Sequence, residues 1–349
     1  MPLVDHFDSH SASLVVSALL ALRGVRSTSL STSGAVAAFV CGYVTLASPL
    51  RVFGVCLLGF YLAGSKATKV KAQIKATFEE PEHASPALNG DSPARPRRSH
   101  TTKGANGPEG GRRTATQVAC NALVGSVCSI LWRIAYSGEL SLSSPTWDRT
   151  GPRWCVVDRY GERDARQWSR VFIYAAVAFW SACCGDTFAS ELGILAKQAP
   201  ILITRPFSGV VPRGTNGGIT LWGLCVSLLG GVYVGALAVI CLVAQGQTEP
   251  CNGPASSWVI ELVTVASLSG LGGSLLDSLL GALFQPTYYS PTRKLVVHRR
   301  DAEPSTGTAA DKVVRVEGTA VFGPWLSNNG VNATMGLATS LVAACYAYQ

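Results

Sequence analysis

Three carboxylates sit where carboxylates are expensive. Asp186 and Glu191 follow the apolar run Val171–Cys184, and Asp277 lies inside a second run, Val259–Phe284. An ionisable group at membrane depth is costly unless paired or metal-bound, which makes all three candidate functional residues. Mg²⁺ is usually held by one or two carboxylates together with substrate phosphates. Asp186, Asp277 and Glu191 are therefore candidate metal ligands and candidate catalytic groups. Five residues of ideal helix put Asp186 and Glu191 about 140° apart. Asp186 is expected to point into a helix bundle opposite Asp277, with Glu191 at the mouth where the helix loosens.

Phosphate-binding chemistry surrounds these acids in the sequence. Arg213, Thr215, Asn216, Gly217 and Gly218 form a polar stretch ahead of the run Ile219–Ala244. Two glycines opening a helix could present backbone N–H groups to a phosphate. Asn121 lies near the entry of the run Val118–Tyr136, and Asn328, Asn329 and Asn332 precede the last run. Lys66 and Lys69 follow the run Leu50–Gly64 and could reach back to a phosphate or simply anchor the chain. Structural readings compete throughout. Asp277 could be held by Ser274 or by a partner helix, and the glycines could serve close helix packing. Residues 59–66 read GFYLAGSK, a near miss to the phosphate-binding P-loop. The order is Gly-Ser-Lys rather than Gly-Lys-Ser, and an apolar run stands where the motif needs a strand.

The elements that must carry these residues are membrane helices. Of 349 residues, 48% are hydrophobic and only 14% charged, with a mean hydropathy of +0.26. Soluble domains carry roughly 25% charged residues. Apolar runs near the ~20 residues needed to span hydrocarbon begin at Ser11–Leu22, which lacks the basic leader and cleavage site of a signal peptide. Gly34–Ala47 and Leu50–Gly64 follow as a hairpin broken at Ser48-Pro49. The expectation is an all-α polytopic bundle of about seven or eight transmembrane helices. Residues 1–77 form N-terminal membrane helices, 78–113 a disordered cytosolic insert, and 114–349 the helical core with the polar site. The insert is rich in Pro, Gly, Ser and Arg and has almost nothing apolar to offset its ordering entropy.

Loop charges orient the runs. The net charge of +8 reads as anchoring of cytosolic loops, not as nucleic-acid binding. With eight runs the basic loops share one side, apart from the mixed-charge loop Ser137–Gln167. Every candidate polar residue then falls near a cytosolic end, as a single pocket requires. Of 11 cysteines, Cys155 and Cys251 are the two in polar loops. Both loops would face away from the cytosol, and an oxidising lumen would permit a disulfide. Sequence supplies no distance, and a bridge needs Cα atoms within about 7 Å, so two unpaired loop cysteines are the default.

CGDTFASELG (184–193), VPRGTNGG (211–218) and GSLLDSLLGA (273–282) also carry a resemblance. With Gly24–Gly42, Ser65–Lys71, Gly111–Asn121 and Asn328–Asn332, they make the chain resemble the transmembrane protein 19 family, also called domain of unknown function 92. Its plant members include phytyl-phosphate kinase. The resemblance implies a kinase that converts an isoprenoid (phytyl or prenyl) monophosphate to the diphosphate with a nucleoside triphosphate and Mg²⁺. The partners are then the lipid bilayer, the isoprenoid phosphate and the nucleotide. The location is the endoplasmic reticulum or another endomembrane rather than a plastid membrane. The alternatives are a non-enzymatic lipid-phosphate carrier or scaffold, and an intramembrane phosphatase or transferase. The insert and the loop Ser137–Gln167 depart from the family pattern. Deleting Pro81–Gly110 should leave the membrane core folded, read as an unchanged thermal midpoint in detergent; a large drop would show that the insert is docked.

Overall fold

A computed structural model describes residues 2–71, 112–136, 155–157, 166–246, 257–297 and 313–349. The expected insert lies almost entirely outside the described residues. In lipid every backbone N–H and C=O must be satisfied internally, so apolar runs become helices. Among the described residues there are eight: α1 Pro2–Arg26, α2 Thr32–Leu46, α3 Val52–Ala67, α4 Ala115–Tyr136, α5 Arg166–Gly193, α6 Leu221–Ala244, α7 Ser257–Phe284 and α8 Asn328–Tyr348. Five of them, α4 to α8, are long and apolar enough to cross a membrane, while α2 and α3 are shorter apolar helices. The chain is a mostly helical membrane protein.

Each apolar run of the sequence lies on one of these helices, with shifted ends. α1 extends well before Ser11, and Leu14, Leu19 and Leu22 face outward. α2 and α3 form the expected hairpin. Gln245, at the end of α6, staples their turn: its Oε1 accepts from Arg51 N at 2.8 Å and its Nε2 donates to the Pro49 carbonyl at 3.1 Å. The P-loop-like stretch lies inside α3 as ordinary helix, so it cradles nothing.

α5 is the centre. Every residue from Ile173 to Gly185 is buried, as a helix apolar on all sides requires. It meets α6 and α7 where side chains vanish. A Cβ at Gly185 would lie 2.4 Å from the Gly270 carbonyl oxygen, one at Gly230 2.9 Å from Gly185 Cα, and one at Gly270 2.8 Å from Gly231 Cα. Without a hydrophobic force between helices in lipid, this backbone-to-backbone approach supplies the association through van der Waals packing.

Away from the glycine crossing, a buried charge ties three helices together. Arg170 of α5 is 1% exposed and pairs with Glu261 of α7. Its Nη1 donates to the Ala347 carbonyl of α8 at 3.3 Å, and its guanidinium lies 4.8 Å from the Tyr174 ring centroid. Cys155, close to the start of α7, is disulfide-bonded, while nine other cysteines are free. That overturns the expectation of an unpaired Cys155. Cys251 lies outside the described residues.

The polar segments are not wholly irregular, as an all-α reading assumes. Ile201–Leu202 (β1) pairs antiparallel with Gly218–Ile219 (β2). Tyr288–Ser290 (β3) is flanked by Leu295–Val297 (β4) and Val314–Arg315 (β5), both antiparallel. Outside helices, backbone polar groups still need partners, and short ladders provide them.

Gly185→Val should lower the thermal midpoint of the detergent-solubilised protein, because the new Cβ meets rigid backbone and overpacking costs about 1–3 kcal/mol. An unchanged midpoint would show that the crossing does not hold the bundle.

Candidate functional site

The C-terminal ends of α5 and α7, the N-terminal ends of α4, α6 and α8, and the connection 194–220 surround a polar cavity of about 540 Å³. The glycine crossing positions its acids. Asp186 immediately follows Gly185, and Asp277 lies two helical turns after Gly270. Both line the cavity, both are half-buried, and they are near enough to interact electrostatically. Neither has a basic partner among the described residues.

A partner helix does hold Asp277. The amide of Asn332, oriented by its hydrogen-bond network, donates to Asp277 Oδ1 at 3.1 Å and to the Asn328 carbonyl at 3.2 Å. The first turn of α8 thereby sets the carboxylate. Asn328 and Asn332 line the cavity and Asn329 does not: residues four apart share a helix face, and the next residue lies about 100° round. Asn121 lines it from α4, its Nδ2 donating to the Gln117 carbonyl at 2.9 Å.

Glu191 also lines the cavity, but from an intact helix. α5 runs to Gly193 without loosening. Trp222 Nε1 donates to the Leu192 carbonyl at 3.2 Å, and a Cβ at Gly193 would lie 3.1 Å from Gly223 Cα, so α6 props the last turn. Among the described residues no three His, Cys, Asp or Glu side chains gather into a metal cage. Glu191 thus does not join Asp186 and Asp277 as a third close ligand. Two carboxylates on one cavity are a donor set of the kind a hard divalent cation takes, with its other positions filled by further oxygens.

The expected phosphate-binding residues separate into two sets. Arg213 borders the cavity, but its guanidinium is committed to the loop. It donates to the carbonyls of Ile194 at 2.9 Å, Ala196 and Lys197 at 3.0 Å. Thr215 Oγ1 donates to the Pro212 carbonyl at 2.7 Å, and Asn216 N donates to Thr287 Oγ1 at 3.0 Å. Gly217 and Gly218 line the cavity but do not open a helix. Gly218 N is spent on the Thr215 carbonyl. Gly217 has φ +81°, and a Cβ there would lie 2.4 Å from Ala282 Cβ. α6 begins after Thr220, whose Oγ1 caps Gly223 N at 2.9 Å. Lys66 and Lys69 are exposed at the end of α3, outside the cavity lining.

The lining also includes polar residues that the sequence reading did not propose as ligands, among them Arg113, Gln117, Thr187, Ser278 and Gln285. Arg113 is the informative one. Its N–H donates to the Ser29 carbonyl at 3.0 Å, and its carbonyl accepts from Ser31 N at 3.0 Å. The end of the basic insert is thus fastened to the α1–α2 turn, with Arg113 at the cavity.

The family model for integral membrane protein DUF92 matches residues 15–340. The chain belongs to the DUF92 family. A relative named Protein PGR, from Arabidopsis thaliana, is 28% identical over 95% of this chain and 93% of its own. An uncharacterized membrane protein of Methanocaldococcus jannaschii is 34% identical over 34% of this chain and 41% of its own. No solved structure matches this DUF92 chain.

If Arg213 clamps the connection, Arg213→Ala should speed amide hydrogen exchange across residues 194–218 while leaving α6 protected. Arg213→Lys should not restore it, because one ammonium cannot replace a planar fork spanning three carbonyls. Unchanged exchange would return Arg213 to the list of groups available to a ligand.

Proposed function

We propose that this DUF92 protein is an isoprenoid-monophosphate kinase that uses a nucleoside triphosphate at the Asp186–Asp277 cavity. One observation carries the reading. Glu261, the acid toward the other end of α7, is neutralised by Arg170, whereas Asp186 and Asp277 face one cavity without a basic partner among the described residues. A paired acid serves the bundle; an unpaired couple of acids is a cation site in waiting.

In the proposed reaction an oxygen of the isoprenoid monophosphate attacks the terminal phosphorus of the nucleotide. The bond from that phosphorus to its bridging oxygen breaks, leaving a nucleoside diphosphate and an isoprenoid diphosphate. The attacking oxygen is already ionised, so no strong base is needed, in keeping with a cavity lining without histidine. Mg²⁺ held by Asp186 and Asp277 would neutralise phosphate charge. Asn332 holds Asp277 in one orientation. Arg113 offers a positive charge to the phosphates, the role the sequence assigned to Lys66, Lys69 or Arg213, and such fixed charge is the main catalytic lever in phosphoryl transfer. The side-chain amides of Gln117, Asn121 and Gln285 can donate to phosphate oxygens.

Orientation follows from chemistry. Disulfides persist in oxidising compartments, so the bonded Cys155 supports a lumenal position for the start of α7. The cavity, toward the C-terminal end of α7, then opens to the cytosol, where nucleotides are. In this reading all eight helices cross, in the endoplasmic reticulum or another endomembrane.

Purified protein with Mg²⁺, a nucleoside triphosphate and prenyl monophosphates should form prenyl diphosphate. Asp186→Asn and Asp277→Asn should each cut turnover by about 10²-fold or more, the scale seen when an electrostatic stabiliser is removed, with thermal midpoints retained. Full activity in both variants would refute the site. Bound prenyl phosphate without product would instead identify a carrier.

A further inference from the structure

A second cavity, of about 760 Å³, runs along the lipid-facing side of α7 and α8. On α7 its wall extends from Trp258 to Leu276, about 27 Å at 1.5 Å per residue. That nearly matches the ~30 Å hydrocarbon thickness of a bilayer, so it is longer than one leaflet's chains would fill. Among the described residues its one lining carboxylate, Glu261, is neutralised by Arg170. The Thr339 hydroxyl is turned back to the Met335 carbonyl at 2.9 Å. The described lining of the groove is therefore effectively uncharged. Along it Ile260, Leu268 and Val342 are 65%, 60% and 72% exposed, which leaves a lateral entrance from lipid.

Gly272 shows that the space is kept open. Its neighbours are glycines for packing: a Cβ at Gly270 would strike Gly231 Cα at 2.8 Å, and one at Gly273 would strike Ala182 Cβ at 2.6 Å. A Cβ at Gly272 would meet nothing within 4 Å among the described residues. Glycine inside a helix costs about 1 kcal/mol relative to alanine, and here no contact with the described residues calls for it. What its missing side chain leaves is room in the groove, one turn before Leu276, the neighbour of Asp277.

We propose that this groove seats the isoprenoid tail of the substrate, extended along α7 with its phosphate at the Asp277 end. The proposal rests on the kinase reading for the identity of the head group and on the groove for the tail. Length, neutrality of the described lining and the nearness of one end to Asp277 favour one long chain over a paired-chain phospholipid.

The test uses the full chain and a geranylgeranyl monophosphate carrying a diazirine at its far end. Photolysis should label peptides of α7 and α8 around Trp258 and Tyr346. Gly272→Trp should fill the groove, abolish most of that labelling and raise KM for geranylgeranyl phosphate about tenfold, a loss of roughly 1.4 kcal/mol of binding. KM for dimethylallyl phosphate, too short to reach Gly272, should stay unchanged. A thermal midpoint of Gly272→Trp equal to that of the parent serves as the folding control. Labelling elsewhere, labelling that survives Gly272→Trp, or equal displacement by phosphatidic acid overturns the groove assignment even if the enzyme turns over. Groove labelling without turnover by the parent protein retires the kinase reading and leaves the tail site standing.

Discussion

The approach of Gly185 to Gly270 is the constraint on which the structure turns. α5 and α7 meet there main chain to main chain, and α6 closes on both through Gly230 and Gly231. A side chain at any of these positions would push the helices apart. Because Asp186 follows Gly185 directly and Asp277 lies two turns beyond Gly270, the crossing also fixes how the two carboxylates face one cavity. Packing and chemistry share one joint.

The acids of the bundle divide by their surroundings. Glu261 has Arg170, which in turn reaches the Ala347 carbonyl and the face of Tyr174. That network spends its charge on holding α5, α7 and α8 together. Asp186 and Asp277 have an amide, polar donors and an open cavity instead. Removing one partner from a buried pair leaves an uncompensated charge, so the Arg170 end is built for permanence, while the aspartate end is left open to the cavity.

The eight helices were legible in the sequence because apolar runs in lipid have no alternative to helix, and the runs were broken by Pro49 and by polar stretches. The acids and several polar cavity residues were legible because polar groups at helix ends are conspicuous against so apolar a chain. What escaped depended on three-dimensional pairing. Arg170 sat at the edge of a mixed-charge loop and gave no sign of reaching Glu261. Arg113 was absorbed into a basic insert, although its main-chain bonds to Ser29 and Ser31 carry it to the cavity. Lys66 and Lys69 were chosen by sequence proximity to a helix end, and the structure leaves them exposed at and just past the end of α3. Arg213 looked like a phosphate ligand until its three carbonyl partners were seen. Gly272 is indistinguishable in sequence from Gly270 and Gly273, and only the empty space beside it separates their roles.

The central claim is that Asp186 and Asp277 together hold a divalent cation against a nucleotide. Mn²⁺ is a paramagnetic substitute for Mg²⁺, and its binding to the purified protein can be read by electron paramagnetic resonance with a non-hydrolysable nucleoside triphosphate present. A bound-Mn²⁺ signal with phosphorus coupling in the parent protein, lost in Asp277→Asn at unchanged thermal midpoint, is the expected result. Absence of that signal in the parent, or its survival in the variant, would contradict the site.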